Sequence, residues 1–112
     1  MSLVRHFVAK ATRSNAGKYY AFFQNTLAPK LKEIRGHQGA LVLSNDRGGE
    51  VTITVLTFWE SDEAIRAFAG DDPGKAVIEP EARAILSSFD LHVTRMAVEV
   101  DTRSGGSGPA AG

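Results

Sequence analysis

The chain has no cysteine. That excludes disulfides, thiolate nucleophiles and thiolate metal ligands together, and it fits a reducing compartment. Its 3 histidines, His6, His37 and His92, show neither His-x-His nor His-x-x-x-His spacing, so no metal site is expected. Gly-x-Ser-x-Gly elbows, phosphate loops and dinucleotide fingerprints are missing, and no cofactor is expected. Net charge is missing too. The 13 basic and 13 acidic residues cancel, which removes any global attraction to nucleic acid or to an anionic membrane and leaves copies of the chain little mutual repulsion. The opening Met1-Ser2-Leu3-Val4-Arg5-His6 contains no long apolar run, so neither a secretory leader nor a membrane span is expected, and the cytoplasm is the default location.

What is present suits one small folded unit. A chain of 112 residues with 43% apolar content can bury a core without staples. Leu3 to Ala11 is short and rich in β-formers, which predicts a first strand. Ser14 or Asn15 then caps a helix whose apolar residues Ala16, Tyr20, Phe23, Leu27, Leu31 and Ile34 fall on one helical stripe, widened by Tyr19 and Phe22. Pro29 interrupts that stripe and must kink or restart the helix, and Gly36 stops it. Gln38 to Ser44 and Val51 to Trp59 read as strands joined by the hairpin loop Asn45 to Glu50. Ser61 caps a second helix with Ala64, Ile65 and Phe68 inside, ended by Gly70. Ala76 to Leu86 is helical in composition but split by Pro80, predicting a short piece on each side, and Phe89 to Val100 is the last strand. The domain therefore runs over residues 1–101. Thr102 to Gly112, rich in Gly, Ser and Ala, reads as a flexible tail.

The order β-α-β-β-α-β is the ferredoxin-like pattern, an α+β fold with a four-stranded antiparallel sheet and helices on one face. The helices cover only that face. The strands carry apolar residues on both faces: Val51, Ile53, Val55 and Trp59 against Leu56 and Phe58, Leu41 and Leu43 against Ala40 and Val42, and Leu91, Val93 and Ala97 against Met96, Val98 and Val100. An apolar second face needs cover, and a second copy supplies it most simply, so a homodimer is expected.

Val55-Leu56-Thr57-Phe58-Trp59-Glu60-Ser61, followed by Glu63-Ala64-Ile65-Arg66-Ala67-Phe68, resembles the strand-to-helix signature of the antibiotic biosynthesis monooxygenase family. Leu27-Ala28-Pro29-Lys30-Leu31 leading to Gly36-His37-Gln38-Gly39 is similar to that family's passage from first helix to second strand, and Pro80-Glu81-Ala82-Arg83 with Phe89-Asp90 resembles the close of a bacterial subgroup. The resemblance spans about residues 3 to 100. It implies a dimeric α+β barrel with a pocket between helices and sheet in each subunit, and cofactor-free oxygenation of phenolic or quinol-like compounds as the activity. Heme-degrading members of the family place a Trp on the second helix and a heme-ligating His about ten residues later. This chain has Phe68 and Ile78 there, and no Asn between Leu3 and Ala11, so that route is not implied.

Cofactor-free oxygenation requires a dry pocket that stabilises an ionised aromatic substrate with hydrogen-bond donors. His6, alone among apolar strand neighbours, is the first candidate for accepting a phenol proton. Trp59 offers an indole N–H at a strand end, and Tyr19 a hydroxyl beside the helical stripe. These three are the expected catalytic residues, with Phe22, Phe23, Phe68 and Arg83 binding a small aromatic molecule. The same residues suit a non-catalytic dimeric barrel that binds a small apolar ligand or serves a structural role.

Overall fold

A computed structural model describes residues 2–72 and 74–103 of the chain. In chain order its elements are β1 (Leu3–Thr12), α1 (Arg13–Phe22), a π-helical turn (Phe23–Leu27), α2 (Ala28–Lys32), β2 (His37–Arg47), β3 (Glu50–Trp59), α3 (Asp62–Ala69), α4 (Pro80–Ile85), β4 (Ser88–Phe89) and β5 (Thr94–Ala97). All strand pairs are antiparallel, in the order β2-β3-β1, and β4 and β5 share the remaining edge of β1. This is the expected α+β architecture with helices on one face of an antiparallel sheet.

Strand parity decides what each residue faces. Arg5 pairs with Thr57, Phe7 with Val55 and Ala9 with Ile53, and Val55 in turn lies opposite Val42. These residues share the helix side, because directly opposed residues in a ladder project to the same face. Val51, Ile53, Val55, Thr57 and Trp59 are all buried there, while Thr52, Thr54, Leu56 and Phe58 between them are half-buried on the other face. The core fills the layer between sheet and helices with Ala16, Tyr19, Phe22, Phe23, Leu27 and Leu31 from the helical side and Ala64 and Ile65 from α3.

Three elements differ from the sequence reading. The first helix is capped by Thr12, whose hydroxyl accepts from the Asn15 amide at 3.2 Å, so it begins earlier than a Ser14 or Asn15 cap allows. Pro29 restarts the helix as expected, standing in the first turn of α2, where its missing N–H costs least. The turn before it widens, the Ala28 amide donating to the carbonyl of Phe23 across five residues. Ala76 to Glu79 is not helical. Glu79 precedes Pro80 and is held extended at ψ 146°, the conformation proline imposes on its predecessor. The last strand is broken into β4 and β5 by the segment 90–93. The tail expected over 102–112 lies outside the described residues from 104 onward.

Ser61 caps α3 as expected, accepting from the Ala64 amide at 3.2 Å. The hairpin turns on Gly48 and Gly49, both at positive φ (64° and 92°), which matches a two-residue turn between twisted strands. No helix among the described residues is long and apolar enough to cross a membrane.

Candidate functional site

The sheet and helices line a partly open cavity of about 40 Å³. β1 contributes Arg5 and Phe7, and β3 contributes Val55 and Thr57. Tyr19 and Phe23 come from the first helical stretch, and Leu27 and Leu31 continue that wall. Phe68 of α3, Val77 and Val93 close the remaining sides. The lining is apolar and aromatic apart from three polar side chains, Arg5, Tyr19 and Thr57.

Arg5 is the unusual member. It keeps only 5% of its surface exposed, where an arginine seldom sits unless it is paired. Its Nη2 donates to the carbonyl oxygen of Lys75 at 2.7 Å, and its guanidinium lies over the Phe68 ring, 5.5 Å from the centroid, in cation–π range. Burial, and then the charge of Arg95 across the β1–β5 pairing, bring the guanidinium down to about 10. It therefore stays charged at neutral pH. Arg95 is itself held by the Asp62 carboxylate in the first turn of α3.

Tyr19 is buried, which pushes its hydroxyl up to about 12, so it remains a protonated donor. Thr57 accepts from the Trp59 indole N–H at 2.9 Å. Trp59 is wholly buried, stacked on Phe68 at 5.8 Å and meeting the His37 ring edge-on at 4.8 Å. It stands behind Thr57 and Phe68 and fixes both in place. The Nδ1 of His37 is buried without a hydrogen-bond partner, and burial pulls that imidazole below its ordinary value. A neutral ring against Trp59 follows. Among the described residues no group of three metal-ligating side chains gathers anywhere.

The structure thus brings together Tyr19, Phe23 and Phe68, with Trp59 behind them. It separates the others. His6 pairs with Leu56 and Thr94 on the face away from the helices. This corrects the expectation that its ring enters the pocket, because one step along a strand turns a side chain to the opposite face. Phe22 is buried toward α4, bordering a shallow groove with Lys18, Glu81 and Ile85. Phe22 ends α1 and Phe23 opens the next turn, and adjacent helical residues lie about 100° apart, so the two neighbours serve different walls. Arg83 is exposed on α4, over the Phe89 ring at 5.3 Å. Arg5, Thr57 and Phe7 were not anticipated. The alternation of Arg5, Phe7 and Ala9 against Val51, Ile53 and Val55 carried the signal, but only the β1–β3 register identifies which of two half-apolar faces meets the helices.

No family model matches the chain, and no curated protein matches it either. Solved structures do. A Bacillus cereus protein described as an antibiotic biosynthesis monooxygenase superposes with a TM-score of 0.61 at 16% identity, over 89% of this chain and 95% of that one. The ActVA-Orf6 monooxygenase of Streptomyces coelicolor, solved with nanaomycin D, gives 0.59 at 13% identity over 89% of each chain. The heme degrader MhuD of Mycobacterium tuberculosis, solved with two hemes in its active site, gives 0.55 at 23% identity, over 88% of this chain and 97% of that one. The chain has the fold of the antibiotic biosynthesis monooxygenases.

Proposed function

We propose that the chain is a monooxygenase acting without a cofactor on a small aromatic, phenolic or quinol-like molecule, whose ionised oxygen it holds in the cavity of Arg5, Tyr19 and Thr57. The observation that carries the reading is a charged, nearly sealed guanidinium in a cavity walled by Phe7, Phe23 and Phe68. Support also comes from the structural neighbours, two of which were solved holding small molecules with extended ring systems.

The chemistry asks the protein for little. In a substrate whose activated CH₂ becomes a carbonyl, one atom of dioxygen enters the product and the other leaves as water. The substrate supplies all the electrons and both protons. The protein's part is to favour the ionised substrate and exclude water. Arg5 provides a fixed positive charge, and the Tyr19 and Thr57 hydroxyls can donate to a substrate oxygen. None of the lining side chains accepts a proton near neutrality, so the substrate must ionise by its own acidity or lose its proton to water. A binding module without turnover is the second reading, and this donor-only character favours it.

The same reading includes a homodimer, paired through the sheet face that carries Leu41, Leu43, Leu56 and Met96. Oxygen uptake with hydroquinones and anthrones tests the enzyme. Wild type is expected to exceed Arg5→Gln by about 100-fold, the loss typical of one oxyanion donor. Equal rates on every substrate would sink the oxygenase, and retained Arg5-dependent binding would then leave the binding module.

A further inference from the structure

Phe23 borders three spaces at once. It walls the cavity of Arg5, Tyr19 and Thr57. It also borders a groove of about 390 Å³ with Tyr20, Gln24 and Val42, and another of about 450 Å³ that ends at His37. The two grooves share Ala28 and Ala40 as well, so they form one open trough between the helical wall and β2. The cavity has two side chains in common with this trough, Phe23 and Leu31.

Size gives the partition a meaning. A water needs about 10–15 Å³ of such space, so a cavity of 40 Å³ has room for about three waters, whereas an apolar cavity that takes up benzene measures about 150 Å³. The trough is far larger. A ring therefore enters behind the partition only where the partition moves, and a longer ligand must extend past it into the trough. Leu31 is sealed at 1% exposure, whereas Phe23 keeps 7%. Phe23 also opens the π-helical turn, where its carbonyl is bonded five residues ahead and the regular ladder is interrupted by Pro29. Such turns occur frequently at functional sites.

We propose that Phe23 is a movable partition that closes the empty cavity and turns aside to let a ligand run from Arg5 into the trough, so that it sets the size the site accepts. This rests on the cavity being an anion site.

Salicylate and 3-hydroxy-2-naphthoate, with one and two rings, are titrated into the full-length protein by calorimetry and by the fluorescence of Trp59, its single tryptophan. Phe23→Ala is expected to improve naphthoate affinity relative to salicylate at least tenfold. Ala40→Phe, which fills the trough, is expected to shift that ratio at least tenfold the other way. Phe23→Leu should fall between wild type and Phe23→Ala, and with Ala40→Phe it decides the matter where the alanine variant does not fold. Arg5→Gln should weaken both acids. An unchanged ratio in these variants, with Arg5→Gln still weakening both, overturns the partition and leaves the anion site standing. Failure of both acids to bind wild type, or indifference to Arg5→Gln, overturns the anion site and the partition with it.

Discussion

Arg5 and Thr57 lie directly opposite one another on β1 and β3, and each is almost closed off from solvent, at 5% and 6% exposure. A charged and a hydroxyl side chain side by side in a core layer stand out against their apolar neighbours. Arg5→Met should abolish binding of aromatic acids. It should alter stability by less than about 1 kcal/mol, or raise it, since a well-packed apolar group can replace a buried charge at no net loss. Urea denaturation with and without ligand checks both halves. His6→Gln, on the opposite face, is expected to keep turnover within about threefold, the range of a side chain that touches no substrate. A larger loss there would move the site across the sheet.

The contrast between Arg5 and His6 also shows how far the sequence could be read. Element order, the Ser61 cap, the hairpin at Gly48 and Gly49 and the sidedness of β3 all follow from local pattern. β3 is legible because Val51, Ile53 and Val55 alternate with threonines. β1 is not, because Val4 and Val8 on one face match Phe7 and Ala9 on the other in hydrophobicity. Parity there is set by pairing with β3, a non-local fact. The π-helical turn was hidden for a similar reason. A 3.6-residue stripe shows that Phe22 and Phe23 are inside, but not that the turn opened by Phe23 is widened.

Trp59 should prove to be a structural residue. Its ring is wholly buried between His37 and Phe68, and its N–H is spent on Thr57. Trp59→Phe is expected to cost about 2–3 kcal/mol through lost volume and the lost bond. Activity should fall less than in Arg5→Gln once both are measured well below the unfolding midpoint. A variant as stable as wild type but inactive would make Trp59 a participant in the chemistry.

Gly36 and Gly49 share a φ of 92° but not their surroundings. A Cβ on Gly36 would come within 2.6 Å of the Ala64 Cβ and 2.9 Å of the Glu60 Cγ, while one on Gly49 meets nothing within 4 Å. The Gly36 carbonyl also accepts from the Glu60 amide at 2.8 Å, tying the turn before β2 to the start of α3. Gly49→Ala should therefore cost only the backbone strain, about 1 kcal/mol. Gly36→Ala adds overpacking and should cost about 2–4 kcal/mol in all. Equal losses in chemical denaturation would show that the α3 contact yields freely.

The pH profile of binding follows from the two buried groups. Arg5 is brought down to about 10 and Tyr19 pushed up to about 12. Neither changes charge between about pH 6 and 9. Affinity for a permanently ionised acid such as 2-naphthalenesulfonate should then be flat within about twofold over that range, and affinity for a phenol should rise with pH up to the phenol's own pKa. Above pH 10 the groups act on stability in opposite senses. The folded chain sheds the Arg5 proton before the unfolded one, so stability gains with pH, while it retains the Tyr19 proton longer, so stability declines. Titration calorimetry showing a step near the ordinary histidine range would place an imidazole in contact with the ligand.

Pairing through the open sheet face can be tested on side chains that touch neither cavity nor trough. Leu41, Leu43 and Met96 remain 37%, 46% and 44% exposed on that face. Leu41 pairs with Leu56, so the apolar strip runs across β2 and β3 and meets His6 on β1. Arg103 covers part of it, its guanidinium 4.2 Å from the centroid of the Phe58 ring, but the leucines lie beyond that contact. Light scattering at micromolar concentration should report a dimer for wild type. Leu43→Glu with Met96→Glu should weaken it at least 100-fold, since two carboxylates in an apolar interface cost about 3 kcal/mol or more between them. Both substitutions face away from the helices, so circular dichroism should be unchanged. A monomeric wild type would mean that the face is left to solvent, and the homodimer would have to be given up.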